Sequence, residues 1–322
     1  MESLAQLLKQ VPNLSIRARL AEKEAAVFND PLIRKLRLKY PELDERTMRL
    51  NLTRLYQYAK EYRNCANCPG LDQCPNDFQG HYTKLTCDTV NGYVQLYDHK
   101  VSCKKFVARQ TQTQIQSRIH SFYVDETALN RGYSAEEILD LDSERAEAVA
   151  GVLEYIKRTK ESGLQTEGLY LVGNFGTGKT FLMCYLLHEL AKDGYSGAIV
   201  YMPDFVEDLK LMLHEPQKLK ETIDLKKEVD LLIFDDIGAE HLNPWVRDHV
   251  MGSILNFRMN RKPTFYTSNY ELDALEQHFR FTTKEGDEEY KGKRLMDRIR
   301  PFVEVIVVNG DNKRGRFKQA TG

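Results

Sequence analysis

The feature that most constrains this chain is "GNFGTGKT", Gly173 to Thr180, which matches the pattern G-x-x-x-x-G-K-[ST]. It follows the apolar run "GLYLV" and opens "KTFLMCYLLHELAK", a stretch patterned as a helix. Glycines at such a turn let backbone amides point inward around phosphate oxygens, and the helix N-terminus adds the positive end of its dipole. Gly173, Asn174, Phe175, Gly176, Thr177, Gly178, Lys179 and Thr180 are therefore the expected phosphate cradle. Within it, Lys179 is expected to reach the β- and γ-phosphates and the Thr180 hydroxyl to ligate Mg²⁺.

A phosphate loop between a strand and a helix requires a sheet. The runs "GLYLVG" (168–173), "GAIVYM" (197–202), "DLLIFD" (230–235), "TFYTSN" (264–269) and "FVEVIVV" (302–308) alternate with helical stretches. They predict an α/β fold with a five-stranded parallel sheet covered on both faces. A helix is expected to begin near Asp142 or Ser143 and to stop by Gly163. "LLIFDDIG" presents Asp235 and Asp236 at the C-terminal edge of a buried strand, where such sheets bind their ligands. Asp235 is expected to hold Mg²⁺ through water, and Asp236 to position the attacking water. Asn269, at the end of "FYTSN", can orient that water against the γ-phosphate. "KRLMDRIRPF" places Arg294 and Arg298 one helical turn apart, on one face. An arginine presented to a neighbouring subunit's γ-phosphate would neutralise charge developing during transfer.

The first third reads differently. Residues 1 to about 63 carry apolar residues at helical spacing, interrupted at Pro41. Five of the six cysteines then fall between residues 65 and 103, in a stretch rich in Gly, Asn and Asp. No basic-then-apolar leader and no apolar run approaching about 18 residues is present, so a cytoplasmic, membrane-free protein is expected. A reducing compartment favours metal ligation over disulfides. Cys65 and Cys68, spaced C-x₂-C, are the natural knuckle of a structural Zn²⁺ site, with Cys74, His81, Cys87 and Cys103 available as distal ligands. A metal-stapled mini-domain is expected here in place of a hydrophobic core. The domains are accordingly 1–103, helical and zinc-binding; 104–141, a polar tether or exposed helix; and 142–322, the nucleotide-binding domain. The formal net charge of -1 gives no global attraction to nucleic acid, so any DNA contact falls to local clusters such as Lys313, Arg314, Arg316 and Lys318.

"GLYLVGNFGTGKT", "LLIFDDIGAE", "TSN" and "RLMDRI", in this order, resemble the AAA+ ATPases and, within them, the bacterial replicative helicase loaders of the DnaI/DnaC type. The cysteine-bearing N-terminal segment resembles the DnaI branch. The resemblance implies an AAA+ P-loop domain with little or no lid, binding ATP and Mg²⁺, behind a helical, zinc-stapled domain that grips a hexameric DnaB-type helicase. Delivery onto single-stranded DNA is the implied task, with several copies assembling on the helicase. It also implies that Asn269 is the sensor, that Arg298 is an arginine finger acting in trans with Arg294 assisting, and that Cys65, Cys68, His81 and Cys103 are the zinc ligands. Aspartate at 236 is one methylene shorter than glutamate, so its carboxylate sits farther from the attacking water and hydrolysis is expected to be slow. An AAA+ helper ATPase of DNA transposition shares much of this site but would not carry the cysteine domain. A small-molecule kinase would need a lid and an acceptor pocket.

Overall fold

The computed structural model describes residues 14–90, 93–122, 143–282 and 286–312, and the chain divides into two compact units, 1–112 and 113–322. In the first, helix α1 spans Leu14–Phe28 and α2 spans Pro31–Lys39. Asp30 starts α2 by accepting the Leu32 N–H at 2.9 Å, with Pro31 presetting the first helical φ. The turn containing Pro41 leads to Asp44, which accepts the Thr47 N–H at 2.8 Å and opens α3, Glu45–Leu50, before α4, Leu52–Ala66. Strands β1, His81–Val90, and β2, Tyr93–Ser102, then pair antiparallel with His81 opposite Ser102.

The cysteine-rich stretch does build a hydrophobic core, contrary to expectation. Thr83, Leu85 and Cys87 alternate along β1, so one face of the hairpin is apolar enough to pack on the helices. Leu85, Cys87 and Leu96 join Ile33, Leu36, Met48 and Leu55. Beside this core Glu61 of α4, fully buried, accepts the Thr83 N–H at 2.6 Å, the Thr83 hydroxyl at 2.7 Å and the Lys100 ammonium at 2.5 Å.

Helix α5 covers Lys104–Arg118 and strand β3 covers Ile119–Phe122, within the stretch expected as a tether or exposed helix; residues 123–142 lie outside the described residues. After a short 3₁₀ turn at Ser143–Arg145, α6 runs Ala146–Ser162 and stops at Gly163, which takes a positive φ. There follow β4 (Gly168–Val172), α7 (Lys179–Lys192), β5 (Gly197–Tyr201), α8 (Met202–Leu211), α9 (Pro216–Glu228) and β6 (Leu231–Asp235). A π-helical segment, Val246–Met251, runs into α10, Gly252–Arg258, ahead of β7, Thr264–Ser268. Helix α11 (Leu272–Arg280), the short strands β8 (Phe281–Thr282) and β9 (Gly286–Asp287), α12 (Glu289–Met296) and β10 (Val303–Val307) complete the unit.

The sheet is parallel and has six strands, in the order β10-β4-β7-β6-β5-β3. The five expected strands are joined by β3, which pairs with β5 at the edge. "IHSF" is too short and too mixed in polarity to stand out in the sequence, and an edge position asks less apolar character of it. Alternation sorts the central strands onto two cores. Leu169, Leu171, Ile233 and Phe265 meet α6 and α7 on one face, while Tyr170, Phe234 and Tyr266 meet α8 and α10 on the other. Arg258, 1% exposed, pins the loop into β6 through its guanidinium, which donates to the carbonyls of Lys226, Val229, Asp230 and Pro263. Among the described residues no helix is long and apolar enough to cross a membrane.

Candidate nucleotide site

The order of the sheet brings three strand ends together. β7 lies between β4, which ends in the phosphate loop, and β6, which ends in the aspartates. Gly176 and Gly178 hold φ of 75° and 93°, a backbone that side chains oppose, and Gly178 caps α7 in that conformation. Lys179, 7% exposed, donates to the carbonyls of Gly173 and Asn174 and to Asn269 Oδ1, each at 2.8 Å. Its ammonium therefore rests on three acceptors at the mouth of the loop. The Thr177 hydroxyl closes the loop on Asn174 O at 3.0 Å, and Phe175 stands exposed at the tip.

Thr180 Oγ1 donates to Asp235 Oδ1 at 2.8 Å, so the two expected cation ligands already meet. Asp235 is 3% exposed, and burial pushes its carboxyl above the usual range against the opposing bonds from Thr267 and Thr180. The Asp235 carboxylate and the Thr180 hydroxyl are adjacent oxygen ligands of the kind a hard divalent cation takes. Asp236 sits at φ 56°, and its Oδ1 accepts from Asn269 Nδ2 at 2.9 Å. Asn269 thus bridges Lys179 and Asp236, which places it between the phosphate loop and the residue expected to position water.

Two residues of this site carried no sequence expectation. Thr267 Oγ1 donates to Asp235 Oδ1 at 2.6 Å and accepts the Asp236 N–H at 2.8 Å. The available signal was a hydroxyl inside the buried run "TFYTS". Arg145, 5% exposed, extends NH1 to Thr177 O at 3.3 Å, and nothing in its local sequence separates it from its charged neighbours.

Arg294 and Arg298 lie elsewhere. They line a cleft of about 450 Å³ with Arg247, Asp248, His249 and Lys291, and no residue of the phosphate loop or of the aspartate pair lines it. Both face this one cleft, but only Arg294 is on the helix, because α12 ends at Met296 and tight turns, Arg298 N–H to Leu295 O and Ile299 N–H to Met296 O, follow. Arg298 NH1 folds back onto Arg294 O at 2.7 Å. Fully buried Arg247, bonded to Asp248, Glu288 and Phe279 O, ties the π-helical segment to the start of α12. The basic tail at 313–318 lies outside the described residues.

Cys65, Cys68, Cys74, His81 and Cys103 line one cavity of about 130 Å³ in the first unit, whereas Cys87 is packed in the core. Among the described residues, no group of three or more His, Cys, Asp or Glu side chains is arranged to hold a metal ion. The His81 ring has both nitrogens engaged, Nδ1 with Gln79 O and Nε2 with Ser102 Oγ, each at 3.0 Å. N–H donors approach all four sulfurs, Asn76 at Cys65, Lys105 at Cys68, Gly80 at Cys74 and Phe106 at Cys103, at 3.4–3.5 Å. A backbone bond at Gly70 and the Lys105 ammonium lower the Cys68 thiol, while burial raises that of Cys65.

Known proteins share this architecture. The family model described as "IstB-like ATP binding protein" matches residues 74–321, and that described as "Primosomal protein DnaI N-terminus" matches residues 1–97. The replicative helicase loader DnaI of Bacillus subtilis (strain 168) is 35% identical over 273 residues, 84% of this chain and 85% of that protein. A crystal structure of DnaI superposes with a TM-score of 0.50 at 35% identity, covering 62% of this chain and 100% of that one. A putative primosome component from Streptococcus pyogenes serotype M3 does so with the same TM-score at 31% identity, covering 63% and 99%. The putative ATP-binding protein of insertion sequence IS1162 from Pseudomonas fluorescens is 30% identical over 139 residues, 42% of this chain and 58% of that protein. With an IstB-like ATP-binding unit behind a DnaI-type N-terminal segment, the chain belongs to the DnaI family of replicative helicase loaders.

Proposed function

We propose that this chain is a cytoplasmic, ATP-dependent loader that binds a hexameric DnaB-type replicative helicase and delivers it onto single-stranded DNA, with ATP acting as a slow timing switch. The observation that carries the switch in this reading is the Asn269 bridge between Lys179 and Asp236, and the helicase part rests on the similarity to DnaI. Lys179 and Asn269 both turn toward a γ-phosphate when one arrives, so nucleotide occupancy is sensed by the residue that also holds Asp236. Thr180 and Asp235 would hold Mg²⁺, which when bound neutralises phosphate charge. Lys179 binds the phosphates, Asn269 and Asp236 hold the water, and Arg298, with Arg294 beside it, reaches the nucleotide of a neighbouring copy from the basic cleft.

The transposition reading draws on the IS1162 relative, but that similarity spans 42% of the chain. The match of residues 1–97 to the DnaI N-terminus favours the loader. In that segment a structural Zn²⁺ would gather thiolates from around the cysteine cavity. Cys65, Cys68 and Cys103 belong to the set, and Cys74 competes with His81 for the fourth place because its sulfur faces the same cavity while both His81 nitrogens are engaged. Zinc content of the purified chain and of its C74S and H81A variants decides between them. For the loader itself, the mass of mixtures with the replicative helicase is measured with and without ATP. A nucleotide-dependent complex is expected, and no association under either condition removes the reading.

A further inference from the structure

Thr267 lies at the centre of the site and outside every role assigned above. It is 1% exposed, on the strand between those that carry the phosphate loop and the aspartates. A hydroxyl has one proton, and here it is committed to Asp235 Oδ1 at 2.6 Å, which leaves the lone pairs for the Asp236 N–H at 2.8 Å. The two bonds act on different things. The first fixes the rotation of the Asp235 carboxylate, to which the Thr180 hydroxyl also donates. The second anchors the peptide entering Asp236, the residue held at φ 56° with its carboxylate on Asn269.

We propose that Thr267 is a positioning residue for the divalent-cation half of the site: one buried hydroxyl orients the Asp235 carboxylate and holds the backbone turn that aims Asp236. The proposal rests on the nucleotide-site reading given above. Loss of this hydroxyl removes a hydrogen bond to a charged acceptor and the acceptor that Thr267 offers the Asp236 N–H, while Lys179 and the loop amides remain. Nucleotide binding without metal is then preserved, and its enhancement by Mg²⁺ is not.

The test is binding of a fluorescent ATP analogue to the full chain, in chelator and across a Mg²⁺ titration, for the unaltered protein, T267V and T267S. Valine keeps the shape and the β-branch, and serine keeps the hydroxyl. T267V is expected to need about tenfold more Mg²⁺ for half-maximal enhancement, as loss of one bond to a charged group implies, with metal-free affinity within about twofold of the unaltered chain. T267S is expected to stay close to the unaltered chain. If T267V titrates like the unaltered protein, loses metal-free affinity equally, or is matched in its defect by T267S, the assignment of Thr267 is overturned. If the unaltered chain shows no Mg²⁺-dependent binding, the nucleotide-site reading falls and the proposal falls with it. Should T267V not fold, T267A carries the same expectation.

Discussion

Asp236 holds a left-handed backbone at φ 56°, where short polar side chains are tolerated and longer ones are disfavoured. Reach is the ground for expecting slow hydrolysis from the shorter acid; the backbone adds a reason why the longer acid is disfavoured here. Asp236→Asn keeps the short side chain and an acceptor for Asn269, so its folding free energy is expected to stay within about 0.5 kcal/mol of the parent. ATP turnover should nevertheless fall roughly 100-fold, the scale of a lost proton acceptor. Asp236→Glu restores reach but strains the turn, and is expected to cost roughly 1 kcal/mol of stability. Urea denaturation of both variants, with turnover measured alongside, separates the two effects. The aspartate pair, Lys179 and Thr180 were legible in the sequence because their spacing is the chemistry. Thr267 was not, because its role depends on β7 lying between β4 and β6, a neighbour relation that sequence order conceals.

Glu61 shows how an element can be fastened by one buried charge. It joins α4 to both strands of the hairpin, through Thr83 on β1 and Lys100 on β2. Burial pushes its carboxyl upward, but the bonds from Lys100, Thr83 and Gln57 outweigh it and hold the pKa below the ordinary value of 4.5. A carboxyl with a lowered folded pKa contributes stability that is complete above the unfolded value and is lost as pH falls through the folded one. The contribution is therefore present at neutral pH and disappears in acid, below 4.5. Glu61→Gln is expected to lose about 2 kcal/mol near neutral pH, the value of hydrogen bonds to a charged group, and to approach the parent in acid, as pH falls below 4.5. Denaturant midpoints at neutral and acid pH check this, and a constant difference would contradict it. At this scale the sequence was least transparent. Continuous apolar runs marked the five expected strands of the parallel sheet to within a residue or two, yet β1 went unread because Thr83, Leu85 and Cys87 carry its buried face among cysteines that drew a metal reading. The break after Met296 was hidden because Arg294 and Arg298 keep helical spacing where the backbone has already tightened.

For the molecule as a whole, the useful question is where the nucleotide-binding unit begins. The sequence places its start at the helix near residue 142, after a polar tether, whereas the compact unit begins at Thr113 and includes β3. The register of Ile119 with Gly197 through Phe122 with Val200 makes β3 the outer strand beside β5. Without it, β5 becomes an edge with unpaired N–H and C=O groups while its Ala198, Ile199 and Val200 remain apolar, the combination that templates strand addition between chains. Arg118, donating to Ala191 O at 2.8 Å, would be lost as well, and with it a bond near the C-terminus of α7. A fragment comprising residues 113–322 is therefore expected to be more stable than one comprising 143–322. A difference of about 1–2 kcal/mol is expected from the ladder and the Arg118 bond, after the entropy of ordering a short strand is subtracted. Unfolding midpoints of the two fragments measure that difference, and light scattering during heating measures the aggregation that an exposed β5 edge should promote. Equal midpoints with equal scattering would mean that β3 is an ornament of the sheet, and that the nucleotide-binding unit is sealed at β5.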